Sequence, residues 1–467
     1  VDLIPSLTPS PAPTPVSVFP ITSRLTDPRL KNWLAKVPGE VNFTDYLSVI
    51  VVPEQKNYIF KGKELLKVYP VSTGAGQNKM PEGIWRIGDK KSSGLSQLYG
   101  PRLMFFELWD NGQFKETTRA FHGTSEPEKI GSNFGLGCVY HYNKDILEIY
   151  DLLPRGSLVV TTGDSSSTDW EILAGGTVVL SRGVDERIRK YKDVNYPWKK
   201  IKPLTRSADL TIVNFKSPFV KDCPYVPDKT VFCSQADYVK GIVSAGVDLV
   251  SVAGNHLGDY GVEGIEYTVD VLLGNDILFT GAGRNATEAF KPQIVELKKR
   301  DGDSLKIGFF SFNTVAGTSP AAGKGSTGVA WWDENLIKGL VENIRSYVDI
   351  LMVMPNWGVE YTHQPTAGQI EIGHKLVNWG VDVVLGDQAH WVQKYEEYNG
   401  GLIFYGLGNL VFDQMWSQKT REGMLVKLKI NQDKEFSFEL IPTVIEDYAQ
   451  PRLASAKETA QILGYMR

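Results

Sequence analysis

The pattern of apolar runs changes near residue 164, and that change limits the chain to domains of two different classes. Over 40–162 the runs are short, β-branched or aromatic, and punctuated by Gly, Pro and Asn: "YLSVIVV", "NYIF", "LLKVYPVST", "GIWRIG", "LMFFEL" and "SLVVTT". Such runs predict strands. One helical segment, "YNKDILEIYDLL" at 142–153, interrupts them. Past "GDSSSTDW" strands alternate with helices. "TVVLS" and "DLTIVNF" precede helical "SQADYVKGIVSAG". "DLVSVA", a helix over 262–273, "KIGFFSF", a helix over 333–347, "DILMVM", a helix over 366–378, "DVVLG" and "LIFYGLG" follow. Continuously apolar strands alternating with helices predict a buried sheet under helices. Polar and Gly-rich sequence sits at the C-terminal ends of these strands, where such sheets hold ligands. No internal repeat is visible.

The length of 467 residues suits two or three domains, and 42% hydrophobic with 22% charged residues provides for real cores. A net charge of −4 and the lack of a basic run argue against nucleic acid as a partner. No stretch has the apolar length of a bilayer span. Residues 1–20, "VDLIPSLTPSPAPTPVSVFP", are Pro/Ser/Thr-rich. Such a segment fits a linker following an export signal or membrane anchor upstream of Val1, and equally a plain disordered terminus. Cys223 and Cys233 flank "CPYVPDKTVFC". Spacing alone leaves open whether they pair; if they do, Cys138 remains as a free thiol.

"HGTSEPEKIGSNFGLGCVY" (122–140) places His122 sixteen residues before Cys138 in glycine-rich sequence. The thiolate is the nucleophilic form of cysteine, and an imidazole can take the thiol proton and return it to a leaving amine. Glycines admit a substrate and leave backbone N–H groups to face an oxyanion. A lone Cys/His pair is more often structural, so the surroundings decide.

Those surroundings resemble the L,D-transpeptidase (YkuD-like) family over roughly 40–162. The matching stretches are "YLSVIVVPEQKNYIFKGKELLKVYPVSTG" (46–74), "MPEGIWRIG" (80–88), "HG" (122–123) and "GCV" (137–139). The resemblance implies that Cys138 is the nucleophile and His122 its base, beside the Gly123 backbone. Gly137 and Cys138 N–H groups would form the oxyanion site. Gly135, Leu136 and Tyr140 would line the substrate site. Three positions depart from the family: its Ser–His before Gly–Cys is Gly135–Leu136, its arginine two after the cysteine is Tyr140, and the threonine of its proline turn is Met80. Leu136 has no side-chain hydrogen bond to give, and Tyr140 cannot pair with a carboxylate as arginine does. His141, the nearest other imidazole, is expected to point elsewhere.

Residues 171–445 resemble the capsule-biosynthesis (CapA-like, poly-γ-glutamate) family, which implies a calcineurin-type metallophosphoesterase fold. The motifs are "DLTIVNFKSPF" (209–219), "GVDLVSVAGNHLGDYG" (246–261), "NWGVEYTHQPT" (356–366), "GVDVVLGDQAHWVQ" (380–393) and "FYGLGNLVFDQ" (404–414). The family's metal ligands are largely replaced. Its first aspartate is read as Gly176, its "NFE" glutamate as Lys216, its histidine before "WG" as Asn356, and one histidine of its "GHHPH" run as Gln388. Asn214, Asn255, His256 and His390 remain, with Asp387 as a newcomer. A lysine ammonium beside two dications is strongly repelled. The resemblance therefore implies a pocket of Lys216, Asn214, Asn255, His256, Asn356, Asp387, His390 and Arg182 in which Lys216, with Arg182 as second cation, holds an anion. A single metal on His256, His390 and Asp387 is the weaker alternative, and hydrogen-bonded strand-end residues without a ligand are the bland one. Trp331, Trp332, His363 and His374 are read as core, rim or surface residues.

The expected fold is multidomain: a lead-in over 1–39, a mostly-β L,D-transpeptidase-like domain over 40–163, and an α/β metallophosphoesterase-like sandwich domain over 170–467. The expected function is an exported, envelope-located L,D-transpeptidase acting on peptidoglycan stem peptides, with a second domain that meets an anionic polymer such as poly-γ-glutamate. No cofactor is implied, and a membrane enters only through an anchor upstream. The competing expectation is a non-catalytic envelope or capsule assembly protein.

Overall fold

The computed structural model describes residues 19–163, 169–225, 230–299 and 302–466. The first domain is one eight-stranded mixed sheet. In spatial order its strands are Glu64–Pro70, Lys56–Lys61, Tyr46–Val51, Leu158–Thr162, Gly83–Lys91, Leu103–Asp110, Gln113–His122 and Val139–Tyr140. Alternation divides its residues between two faces. Ile50, Ile59, Trp85, Phe106, Phe121 and Val139 pack under the helix Asn143–Leu152 through its Ile146 and Ile149. Leu47, Val49, Phe60, Leu158 and Val160 pack on the other face against Trp33 and Leu34 of the helix Leu30–Leu34.

The second domain is two sheets, of seven and eight strands, packed face to face with helices outside. Trp170, Ile172, Ile212 and Leu249 of one sheet meet Leu297, Phe309, Met352 and Leu385 of the other in a continuous core. The helix Gly261–Leu273 covers one outer face and the helices Glu334–Arg345 and Ala367–Trp379 the other. The strand–helix alternation predicts helices over a buried sheet, and the second, facing sheet is the one the capsule-family resemblance implies. The helices Gly183–Tyr191 and Ala456–Tyr465 add to it without a strong prior signal in the sequence.

The lead-in is more than a linker. Its first 18 residues lie outside the described ones. Ile21–Thr26, however, pairs parallel with Gln293–Lys299 as the edge strand of the seven-stranded sheet. From Ile21 onward the chain thus adds a strand to the second domain, passes through the first and returns. Lys63 of the first domain, 3% exposed at its side chain, donates to Thr211 and pairs with Asp248 at 2.9 Å, while Arg24 holds the other oxygen of Asp248. Cys223 and Cys233 form a disulfide, and Cys138 is the free thiol. No helix among the described residues is long and apolar enough to cross a membrane.

Candidate functional site

His122 ends the strand Gln113–His122, and the strand Val139–Tyr140 runs parallel beside it with Phe121 opposite Val139 and His122 opposite Tyr140. Phe121 and Val139 point into the core. His122, Tyr140 and Cys138 therefore share the opposite face. His122 is 2% exposed. Its Nδ1 is 2.6 Å from the Gly123 carbonyl oxygen, which fixes the tautomer with Nδ1–H donating and Nε2 free to accept a proton. Burial pushes its pKa down to about 4 despite that bond, so the ring is neutral near pH 7. Tyr99 and Tyr140 meet it edge-on at 5.2 and 4.3 Å between ring centres.

The Cys138 thiol is half-buried and lies 3.9 Å from the Thr118 carbonyl; no hydrogen bond joins it to His122. Burial raises its pKa, and the Ala120 backbone and the Arg119 guanidinium pull it partly back. The resting pair is thus neutral thiol and neutral imidazole. Neither the Gly137 nor the Cys138 N–H donates to a described acceptor, as an oxyanion site requires. The loop before Cys138 is pinned to residues 72–75: Tyr140 and Ser72 exchange backbone bonds, Gly74 donates to Phe134 and Ala75 to Gly135.

The glycines have steric reasons. A Cβ on Gly123 would sit 2.1 Å from Asn143 Oδ1, the atom that accepts the Thr124 N–H. At Gly135, with φ of +102°, a Cβ would lie 2.2 Å from the Tyr140 ring. The family departures at 135 and 140 are therefore one coupled change: the small residue makes room for the phenol, whose hydroxyl accepts the Leu136 N–H at 3.3 Å. Leu136 is 79% exposed and Met80 is buried in the core. His141 lies fully buried on the far face, bonded to Asn57 at 3.1 Å, and burial pushes its pKa down to about 3. It points away from the thiol, as expected, and lies in the core. Arg119, which the sequence reading passed over, donates from Nη1 to the Gly137 carbonyl. An arginine three before a histidine on a strand carries no signal of its own.

In the second domain the predicted pocket residues gather at the strand ends. Asp387 is 1% exposed and accepts from Thr177 at 2.7 Å and from Asn214. Lys216, also 1% exposed, donates to Gln388 at 2.8 Å and lies 3.8 Å from Asp387. Burial lowers its pKa against the pull of Asp387 and Glu360. His390 is held by Asn409 at 2.8 Å and lies 3.8 Å from Glu360, with its pKa pushed down to about 3 by burial and Lys216. Gln388 and His390 both take positive φ, 109° and 58°. Such backbone clusters at sites under constraint. His256 pairs with Asp259 at 3.0 Å, and Asn356 donates to Asn313.

Two expectations are corrected. Gly176 has no room for a side chain, since a Cβ would meet the Gly408 carbonyl at 2.0 Å; a bulge in the strand turns Thr177 into the cleft in its place. Arg182 is not an idle second cation: it is salt-bridged to Asp413 and stacked over Phe232 and Phe412. Asn409 and Glu360 join the cleft without having been singled out. Trp332 stacks against Trp379 at the edge of the core, and His374 lies flat on Tyr398. His363, read as a surface residue, is half-buried against Tyr465.

A resemblance to calcineurin-type metallophosphoesterases would imply a binuclear metal centre. The residues present do not fit one. Among the described residues no group of three or more His, Cys, Asp and Glu is placed to hold a metal ion. The Lys216 ammonium occupies the heart of the cleft, where it is paired with Asp387. The Oδ1 atoms of Asn214, Asn255, Asn356 and Asp387 are buried without a described hydrogen-bond partner.

The first domain thus has a buried imidazole and a thiol on one face of a β domain, and the second has a strand-end cleft in a two-sheet sandwich, the pairing of a transpeptidase domain with a capsule-synthesis domain. The family model described as "Bacterial capsule synthesis protein PGA_cap" matches residues 171–414, and that of the "L,D-transpeptidase catalytic domain" (YkuD) matches residues 45–161. The chain belongs to the PGA_cap family and carries the transpeptidase domain in front of it. It is similar to the PGA biosynthesis protein CapA of Bacillus subtilis, 28% identical over 274 residues, 58% of this chain and 70% of that protein. It is also similar to the capsule biosynthesis protein CapA of Bacillus anthracis, 24% identical over 295 residues, 62% of this chain and 70% of that one. The front domain is 26% identical over 104 residues to the putative L,D-transpeptidase YkuD of Bacillus licheniformis, 22% of this chain and 58% of that protein. Among solved structures, the L,D-transpeptidase (Yku) of Stackebrandtia nassauensis is 20% identical with a TM-score of 0.21, covering 30% of this chain and 67% of that one.

Proposed function

We propose that the chain is an exported L,D-transpeptidase of the cell envelope that works through a Cys138 acyl-enzyme on peptidoglycan stem peptides. The observation that carries this reading is the tautomer lock on His122. A neutral imidazole, held by Nδ1 on Gly123, shares a face with the chain's one free thiol. His122 takes the thiol proton as sulfur attacks the stem carbonyl between an L- and a D-centre, and gives it to the leaving amine. The Gly137 and Cys138 N–H groups meet the oxyanion, and an amine from another stem, or water, resolves the acyl-enzyme. Gly135, Leu136 and Tyr140 border the substrate. The Cys223–Cys233 disulfide supports an oxidising location outside the cytoplasm. The second domain serves poly-γ-glutamate or another anionic polymer by binding and not by metal-dependent hydrolysis; the likeness to the PGA biosynthesis protein supports the polymer, while the cations of the strand-end cleft are paired from within.

The test is intact-mass analysis of the full chain after exposure to a carbapenem, with peptide mapping. The expected result is one adduct, on Cys138. A native chain that takes up no adduct supports the second reading, a non-catalytic capsule assembly protein. That reading draws on the thiol resting on the Thr118 carbonyl instead of on His122. For the second domain, co-sedimentation with poly-γ-glutamate is expected; a chain that stays in the supernatant at low salt overturns polymer binding.

A further inference from the structure

The transpeptidase family's arginine after the cysteine is Tyr140 here, and the phenol packs on Gly135 and His122 with no positive charge to set against an anion. The same loop is gripped from the neighbouring strand by Arg119. Its Nη1 donates to the carbonyl of Gly137, the residue before the nucleophile. The fit is close: a Cβ on Gly137, at φ of +96°, would lie 2.0 Å from that nitrogen. Arg119 is half-buried, and no described carboxylate lies within ion-pair reach of it. Many other arginines of the chain are paired, among them Arg24, Arg29, Arg86, Arg182, Arg187 and Arg345. A guanidinium that spends one N–H on a loop carbonyl keeps the remainder of a rigid fork, whose geometry matches a carboxylate.

We propose that Arg119 is the substrate-carboxylate anchor of the thiol site: it holds the Cys138 loop by the Gly137 carbonyl and presents the rest of its fork to a free carboxylate of the bound stem peptide. The role lost with an arginine at 140 is supplied from the adjacent strand. This rests on the transpeptidase reading for the identity of the ligand, though not for the presence of an anion site beside the sulfur. Consistent with the geometry, Arg119 draws the thiol pKa downward against the effect of burial.

The experiment compares an anionic and a neutral alkylating agent on the full chain. Iodoacetate and iodoacetamide both form an S–C bond at Cys138 with loss of iodide, and mass spectrometry reads each rate separately. Cys223 and Cys233 are bonded to each other and stay silent. Relative to wild type, Arg119→Gln is expected to lower the iodoacetate-to-iodoacetamide rate ratio at least about threefold. Arg119→Lys is expected to keep most of it, because the charge remains, and added salt should compress the wild-type ratio toward that of Arg119→Gln. A ratio unchanged in Arg119→Gln, with Cys138 still reacting with both reagents, overturns the proposal. A loop that merely collapsed would slow both reagents alike and leave the ratio where it was, which also counts against it. The peptide arm is a tetrapeptide stem against its C-terminal amide: wild type should prefer the acid and Arg119→Gln should not. If wild type accepts neither a carbapenem nor the peptide, the transpeptidase reading fails while the alkylation ratio still decides on Arg119. If the carbapenem adduct forms and the ratio ignores Arg119→Gln, the anchor fails alone.

Discussion

The two clefts of this chain differ in which part of their chemistry they keep. In the first domain the proposed reacting pair, His122 and Cys138, shares one face and its surroundings are altered. In the second the surroundings are present, with Asn214, Asn255, His256 and His390 at the strand ends, and the charged ligands are altered. The outcomes differ for a physical reason. Gly135 and Tyr140 changed together and fit each other, so the first site keeps its half-buried thiol in a loop that still packs. In the second, a lysine in place of a carboxylate puts a positive charge where cations would bind, and Asp387 neutralises it. A site can tolerate exchange of its neighbours; exchange of one charge in its centre turns it into part of the core.

The largest effects sharpen the first half of that contrast. Cys138→Ala is expected to abolish the carbapenem adduct entirely, since the other two cysteines are bonded to each other. An adduct that persists would place the chemistry elsewhere. His122→Ala is expected to slow carbapenem acylation by about 10²- to 10⁴-fold in stopped-flow or timed mass measurements, the usual contribution of a positioned base. An effect under about threefold would mean the ring plays no part in proton transfer.

The next effect addresses the second cleft. Truncating one member of a buried ion pair leaves the other uncompensated, at a cost of about 3–5 kcal/mol. Lys216→Met is expected to destabilise the chain on that scale in urea denaturation, and Lys216→Met with Asp387→Asn to recover most of the loss. Equal stability of the single variant and wild type would break the comparison, because the ammonium would then be incidental to the cleft. Chelator should leave the wild-type melting temperature unmoved; a clear drop would return a metal to this domain.

The fold was legible to the extent that periodicity reports it. The strand runs, the helix at 143–152 and the alternation in the second half follow from apolar spacing. The pairing of Ile21–Thr26 with Gln293–Lys299 was not, because parallel pairing across some 270 residues leaves no mark on either segment. His122 and Cys138 stood out through rare residue types in glycine-rich sequence. Arg119 and Thr177 did not. One acts through a backbone carbonyl, and the other is turned inward by a strand bulge between Gly175 and Thr177, where a residue count along the strand places Gly176. Arg182 was misjudged for a related reason: its counter-ion, Asp413, is 231 residues away in sequence.

The smallest expected effect concerns pH, and it separates two kinds of Cys/His site. Burial holds the His122 imidazole at about 4, below its ordinary 6.5, and lifts the Cys138 thiol above its ordinary range. Between those limits both groups are neutral, so the resting site is not a thiolate–imidazolium pair. Iodoacetamide alkylation of wild type should therefore rise with pH through a single inflection above the ordinary thiol range, without a plateau below neutrality. The stability linkage has a matching sign. The unfolded imidazole takes a proton near 6.5 and the folded one only near 4, so acidification through that window favours the unfolded state. Arg119→Gln should move the alkylation inflection upward, because it removes a cation beside the sulfur. An alkylation plateau already reached at about pH 6 would reveal an ion-paired thiolate and would make His122 a counter-ion before it is a base.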